Sequence, residues 1–192
     1  MVDSQASPNF LARWITVETT FCYHSAVATN NKTAPLLTEA VAAFLQRHTS
    51  MNVASRDAQN RPAIARGLGC RVSDDRLRIT VFLSTTHSGQ VLPCLRENGV
   101  IAMAVTRPKT HETYQFKGRV LDIAPLSEDD RAAMAAYQDS LVEELGSIGY
   151  RPEFTRMLVA GGEDGVAVVF EPLEMFNQTP GPKAGEKLGE RA

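Results

Sequence analysis

Apolar and polar positions alternate most cleanly over Arg76–Leu83. Leu77, Ile79, Val81 and Leu83 fall on one side and Arg78, Thr80 and Phe82 on the other, the period-two pattern of a strand. Ser73-Asp74-Asp75 supplies the turn before it, and Ala63–Val72 reads as the preceding strand. Val100–Arg107 is apolar on both sides, as a strand buried on both faces is. Tyr114–Ala124 reads as a long strand with Gly118 inside it, and a glycine there marks a bend, a bulge or a close approach. MNVASRD and GVAVVFEP complete the set.

A helical period replaces this alternation in four places. Residues 36–48 carry Leu37, Val41, Phe44 and Leu45, and Ser88–Asn98 carries Val91, Leu92 and Leu95. The segment from Ser127 to Gly146 carries Met134, Tyr137, Leu141 and Leu145, and a shorter helix opens at Pro152 and runs to Ala160. Ser127-Glu128-Asp129-Asp130 predicts a capping box with Asp in the last place, and Thr86 or Ser88 is the expected N-cap of the second helix.

About six strands joined mostly by turns require antiparallel pairing. That excludes a doubly wound parallel sheet and favours a mainly β fold, a small barrel with helices packed outside. Residues 1–35 give no clear pattern and are set apart as an N-terminal arm. Residues 36–176 form the barrel domain, and residues 177–192, rich in Pro and Gly and without apolar periodicity, are expected to be an extended tail.

Composition narrows the function classes. Of 192 residues 43% are hydrophobic and 22% charged, enough apolar mass for one real core. A net charge of -2 with no run of Lys or Arg argues against nucleic acid. No stretch approaches ~20 apolar residues, so no membrane span is expected. Cys22, Cys70 and Cys94 form no CxxC pair and leave one over in any disulfide scheme, which with no signal-peptide pattern points to a cytoplasmic protein. His24, His48, His87 and His111 share no ligand spacing, so no metal site is expected. Neither a G-x-S-x-G elbow nor a phosphate-binding glycine loop follows any strand.

The candidate chemistry lies in Arg66–Asn98. Ser84, Thr85, Thr86 and Ser88 cluster between a strand and a helix with Gly89 beside them, and Arg66 and Arg71 precede them on the neighbouring strand. Hydroxyls and free backbone N–H groups with guanidinium groups in reach suit a phosphate. In strict alternation Arg66 and Arg71 face opposite ways; a bulge permitted by Gly67 and Gly69 would bring them to one side. Gln115 and Lys117 share a strand face opposite Tyr114 and Phe116.

In their order, the pieces RPAIARGLGCRV, RLRITVFLSTTHSGQ, ENG before VIAMAV, and YQFKGRVLDIAPLSEDD resemble the FMN-binding split barrels of the pyridoxamine 5'-phosphate oxidase-like family over roughly residues 36–145. The resemblance implies an antiparallel six-stranded split barrel, a homodimer with FMN at the subunit interface, and flavin-dependent oxidoreductase activity on a small molecule. Carried over by position, Arg66 and Arg71 match the basic residues of the second strand, Ser84 the hydroxyl after the aromatic, and Ser88 the loop serine. Phe82, Leu83, Thr85 and Gln90 beside them, and Gln115 along the flavin ring, complete the implied cofactor contacts. The family's Arg-Lys pair is Gly89-Gln90 here, so two phosphate-binding charges are missing. The C-terminal Arg-Leu-Ala-Pro ending of the oxidase is also absent, so pyridoxamine-phosphate oxidation is not implied. No residue is singled out as catalytic. The alternative is a non-enzymatic split-barrel dimer that has lost flavin or binds another ligand.

Overall fold

The computed structural model describes residues 36–161 and 163–191; the expected N-terminal arm, with Trp14, lies outside them. Its centre is one antiparallel sheet in the order β2-β1-β5-β6-β7-β4-β3, with β8 added on β7. The strands are β1 (Ser50–Arg56), β2 (Pro62–Arg66), β3 (Cys70–Val72), β4 (Ile79–Ser84), β5 (Val100–Thr106), β6 (Thr113–Pro125), β7 (Gly165–Asn177) and β8 (Lys187–Glu190). The helices are α1 (Glu39–Gln46), α2 (Val91–Asn98), α3 (Glu128–Gly146) and α4 (Pro152–Leu158). The expected mainly antiparallel architecture with helices outside is the one observed.

The expected single strand Ala63–Val72 is two strands that change partner. β2 pairs with β1 and β3 with β4, at opposite ends of the sheet order. The three residues between them are bonded on both sides: Gly67 N–H donates to Met51 O, and Leu68 N–H to Phe82 O. This bent segment links the two ends of an open sheet order. A Cβ on Gly67 would lie 2.6 Å from Met51 Cγ, so only glycine lets the strand pass that close. Phe82 N–H also donates to Gly69 O, so Leu68 and Gly69 together oppose Phe82, the extra residue of a bulge.

Alternation along the strands sorts two faces. Val53, Ala65, Met103, Phe116 and Met175 lie opposite one another in register and are all buried, one layer of the interior. Gly118 confirms its reading as a close approach: a Cβ there would lie 2.1 Å from Glu171 O, and the β6–β7 register shifts at Lys117/Gly118.

Three local expectations are corrected. The second helix begins at Val91 rather than Ser88, and its N-cap is Gln90 with no side-chain cap bond, because Ser88 bonds backward to Ser84 O instead. The strand expected over Arg76–Leu83 starts at Ile79, since Asp75 and Arg78 are bound into the preceding turn with Ser73. The tail is not an extended arm: it turns back and pairs as β8 with β7, held by Lys187 Nζ–Glu174 Oε1 (2.6 Å) and Arg191 Nη1–Glu171 Oε1 (2.9 Å). That strand and the division of the second one make eight strands among the described residues where six were expected. No helix among the described residues is long and apolar enough to cross a membrane.

Candidate functional site

Two features can hold a ligand. The first is a row of side chains on the outer face of the sheet. Arg66 is opposite Asn52, Asn52 opposite Ala104, Ala104 opposite Gln115, and Gln115 opposite Phe176. Directly opposed residues share a face, so Arg66 and Gln115 look out on the same side, three strand spacings or roughly 14 Å apart. The residues between them are small and buried, Ala104 in this row and Ala102 in the next. Arg66 Nη1 donates to Ser50 Oγ at 2.9 Å. Gln115 is only 2% exposed, and its Oε1 accepts from Gln178 Nε2 at 3.0 Å while its own Nε2 has no partner. Lys117 Nζ stands 4.8 Å from the centre of the Phe176 ring, adding positive charge to one end of the row.

The second feature is the loop from Ser84 to Ser88. Ser84 Oγ (3.2 Å), Thr85 Oγ1 (2.7 Å) and Thr86 N–H (2.6 Å) all donate to one oxygen, Oδ2 of Asp164. His87 N–H donates to Ser84 Oγ (3.1 Å), and Nδ1 of the same histidine is also 3.1 Å from it. Ser88 N–H and Oγ both close back on Ser84 O. The bonds from Thr85 and Thr86, with a further one from Ser84, hold the Asp164 carboxyl well below the usual carboxylate range against a smaller opposing effect of burial. The loop is therefore a formed cradle for an anionic oxygen, and the anion it holds belongs to the chain itself.

The predicted residues divide between these features and the core. Ser84, Thr85 and Ser88 are gathered in the cradle. In antiparallel order, Gly67 and Arg66 lie past the Leu68–Phe82 bond in the direction of the Ser84 end of β4, where Gly67 turns to pair with Met51 of β1. Gln115 lies at the far part of the row. Phe82 and Leu83 are fully buried core residues, and Gln90 is exposed ahead of α2. Arg66 and Arg71 stand on different strands, β2 and β3, and Arg71 Nε meets Asp130 Oδ1 at 2.6 Å, at the start of α3. Asp164 escaped the reading of the sequence. It is 80 residues from Ser84, and its one local signal is the glycine-rich GGEDG around it. Among the described residues no group of three His, Cys, Asp or Glu is placed to hold a metal ion.

No protein-family model matches the chain, and no curated protein matches it. Solved structures do. An F420 reductase is 18% identical with a TM-score of 0.46, over 69% of this chain and 93% of its own. A candidate pyridoxamine 5'-phosphate oxidase from Lactobacillus delbrueckii is 12% identical with a TM-score of 0.48, over 76% and 96%. HutZ, the heme storage protein from Vibrio cholerae, is 14% identical with a TM-score of 0.42, over 73% and 94%. A protein related to general stress protein 26 from Clostridium acetobutylicum, of the pyridoxinephosphate oxidase family, is 17% identical with a TM-score of 0.37, over 66% of this chain and 76% of its own. At these identities the similarity carries no residue role and no ligand to this chain.

Proposed function

We propose that the protein binds FMN on the outer face of its sheet, as a homodimer with the flavin between subunits, and works as a flavin-dependent oxidoreductase on a small molecule. The row from Arg66 to Gln115 carries the reading. It offers two small residues at Ala102 and Ala104, both buried, an amide nitrogen of Gln115 in want of an acceptor, and the guanidinium of Arg66 at its other end. A planar ring with carbonyl edges suits the amide, because a buried unpaired donor gains most from an acceptor. An anionic phosphate suits Arg66 and the hydroxyls of Ser84, Thr85 and Ser88. The bound flavin would supply the electron transfer. The chain's own part is to orient it: Gln115 fixes one ring edge and Arg66 fixes the phosphate. Arg71, tied to Asp130, positions α3 rather than the ligand in this reading, and Phe82 and Leu83 support the loop from within the core.

A second reading, a split-barrel dimer with no flavin, is favoured by Gly89-Gln90. Both residues are exposed and neither brings charge to the loop. An absorbance spectrum of the purified protein, followed by titration with FMN, separates the two. Flavin bands or saturable uptake are expected; a colourless protein that takes up no FMN supports the second reading. Arg66→Ala is expected to weaken FMN by about 1.5–3 kcal/mol, the worth of a bond to a charged group, with the fold unchanged by circular dichroism. An unaltered titration curve would remove Arg66 from the site.

A further inference from the structure

Two hydroxyls and one backbone N–H converge on Asp164 Oδ2, and none comes from a helix end. Ser84 Oγ lies at the last residue of β4, Thr85 Oγ1 and Thr86 N–H in the loop after it, all before the N-cap Gln90. Ser84 and Thr85 are two of the hydroxyls offered above to the phosphate of the proposed ligand, and one carboxylate oxygen takes both of them, with the Thr86 N–H beside them. Asp164 arrives from the connection between α4 and β7, whose backbone also closes on the loop through Thr85 N–H to Asp164 O at 3.3 Å. Gly161, at φ 104°, lies where a Cβ would stand 2.9 Å from His87 Nδ1, so this connection packs directly on the cradle.

We infer that Asp164 is the specificity-determining residue of the cradle, a built-in carboxylate that a phosphate must displace. The inference rests on the reading of the row and loop as an FMN site, but its physical content is narrower: the cradle binds one anion at a time. Two anions cannot share three donors, because each would lose bonds and repel the other. The same connection borders a cavity of about 440 Å³ between α3 and α4, lined by two arginines, Arg131 and Arg156, and two carboxylates, Asp139 and Glu163. Neither arginine makes a salt bridge among the described residues. A ligand bearing phosphate therefore binds against an internal competitor, and a flavin without phosphate does not.

The test is a titration of the full chain and of Asp164→Asn and Asp164→Ala with FMN, riboflavin and inorganic phosphate. Asn keeps the shape of the plug without its charge, and Ala vacates the cradle. FMN affinity is expected to rise in the order wild type, Asn, Ala, on the order of tenfold or more across the series, since charge-assisted bonds are the stronger ones. Riboflavin affinity should stay level across all three proteins. Millimolar phosphate should raise the melting temperature of the Ala variant and leave wild type unmoved. Equal FMN affinity in all three overturns the inference while leaving the flavin reading intact. If no protein binds either flavin, the flavin reading fails, and the phosphate-dependent melting shift alone then decides: present in Asp164→Ala it upholds the inference, absent it overturns it. Circular dichroism of both variants guards against a fold defect, and the Asn protein carries the comparison if the Ala protein is unfolded.

Discussion

Asp130 shows how much one carboxylate can arrange. Its Oδ2 accepts from the N–H (3.1 Å) and hydroxyl (2.7 Å) of Ser127, closing the capping box of α3, while Oδ1 takes Arg71 Nε at 2.6 Å and ties the helix start to β3. Burial pushes its carboxyl up, but the bonds from Arg71 and Ser127 outweigh this and hold it below the ordinary range. Asp130→Ala is expected to lower stability by about 1–3 kcal/mol in urea denaturation, the loss of a cap together with buried donors left unpaired. Arg71 has a side chain 42% exposed, so its share is screened and Arg71→Ala should cost well under about 1 kcal/mol. Should the two variants lose stability equally, the ion pair rather than the cap holds the helix start.

At the scale of elements, features set by neighbours in the chain were legible and those set by distant partners were not. The capping box at Ser127 needs only four consecutive residues, and Gly118 announces its bulge by standing in an otherwise unbroken strand. The division of β2 from β3 is decided by Met51 on one side and Phe82 on the other, so Gly67 and Gly69 announce an irregularity there but not the change of partner. The cradle was half legible. Its hydroxyls are contiguous, whereas its occupant stands 80 residues on in the chain, just before β7 where it pairs with β4. β8 escaped for another reason: its four residues carry no apolar period, and it is held by ladder bonds and by ion pairs with Glu174 and Glu171. Deleting residues 180–192 is therefore expected to leave the barrel folded and to lower stability by about 1–2 kcal/mol, the sum of surface pairs and a short ladder. It would also uncover the edge of β7 at Glu174–Phe176, so the truncated protein should associate more readily on a sizing column. A melting temperature equal to that of the full chain would mean that β8 contributes nothing to the fold.

For the molecule as a whole, the same polar anchors set a window of pH. Asp57, bonded first by the backbone and side chain of Arg61, Asp75, bonded first by Ser73, Asp130 and Asp164 all have carboxyls held below their ordinary values in the fold. A group whose acidity is increased by folding lends stability above its unfolded value, about 3.9 for Asp, and loses it as pH falls through the folded value. These four anchor the β1–β2 turn, the β3–β4 turn, the start of α3 and the cradle, so acid releases connections throughout the barrel. On the alkaline side, burial pushes the Cys70 thiol up to about 12 and raises the Tyr137 phenol, so both stay protonated in the fold while the unfolded chain ionises. The stability they lend is whole below the unfolded thiol value, about 8.5, and is lost as pH rises from there towards the folded values. Urea midpoints should therefore form a plateau between about pH 5 and 8, falling below about pH 4 and again above about pH 9. Asp130→Asn and Asp164→Asn should each lower the plateau and flatten the acid limb, because the native-state proton deficit that steepens it is removed. A midpoint that held level to pH 3 in the unaltered protein would mean that these carboxylates keep their ordinary values and that the turns and the cradle are held by something else.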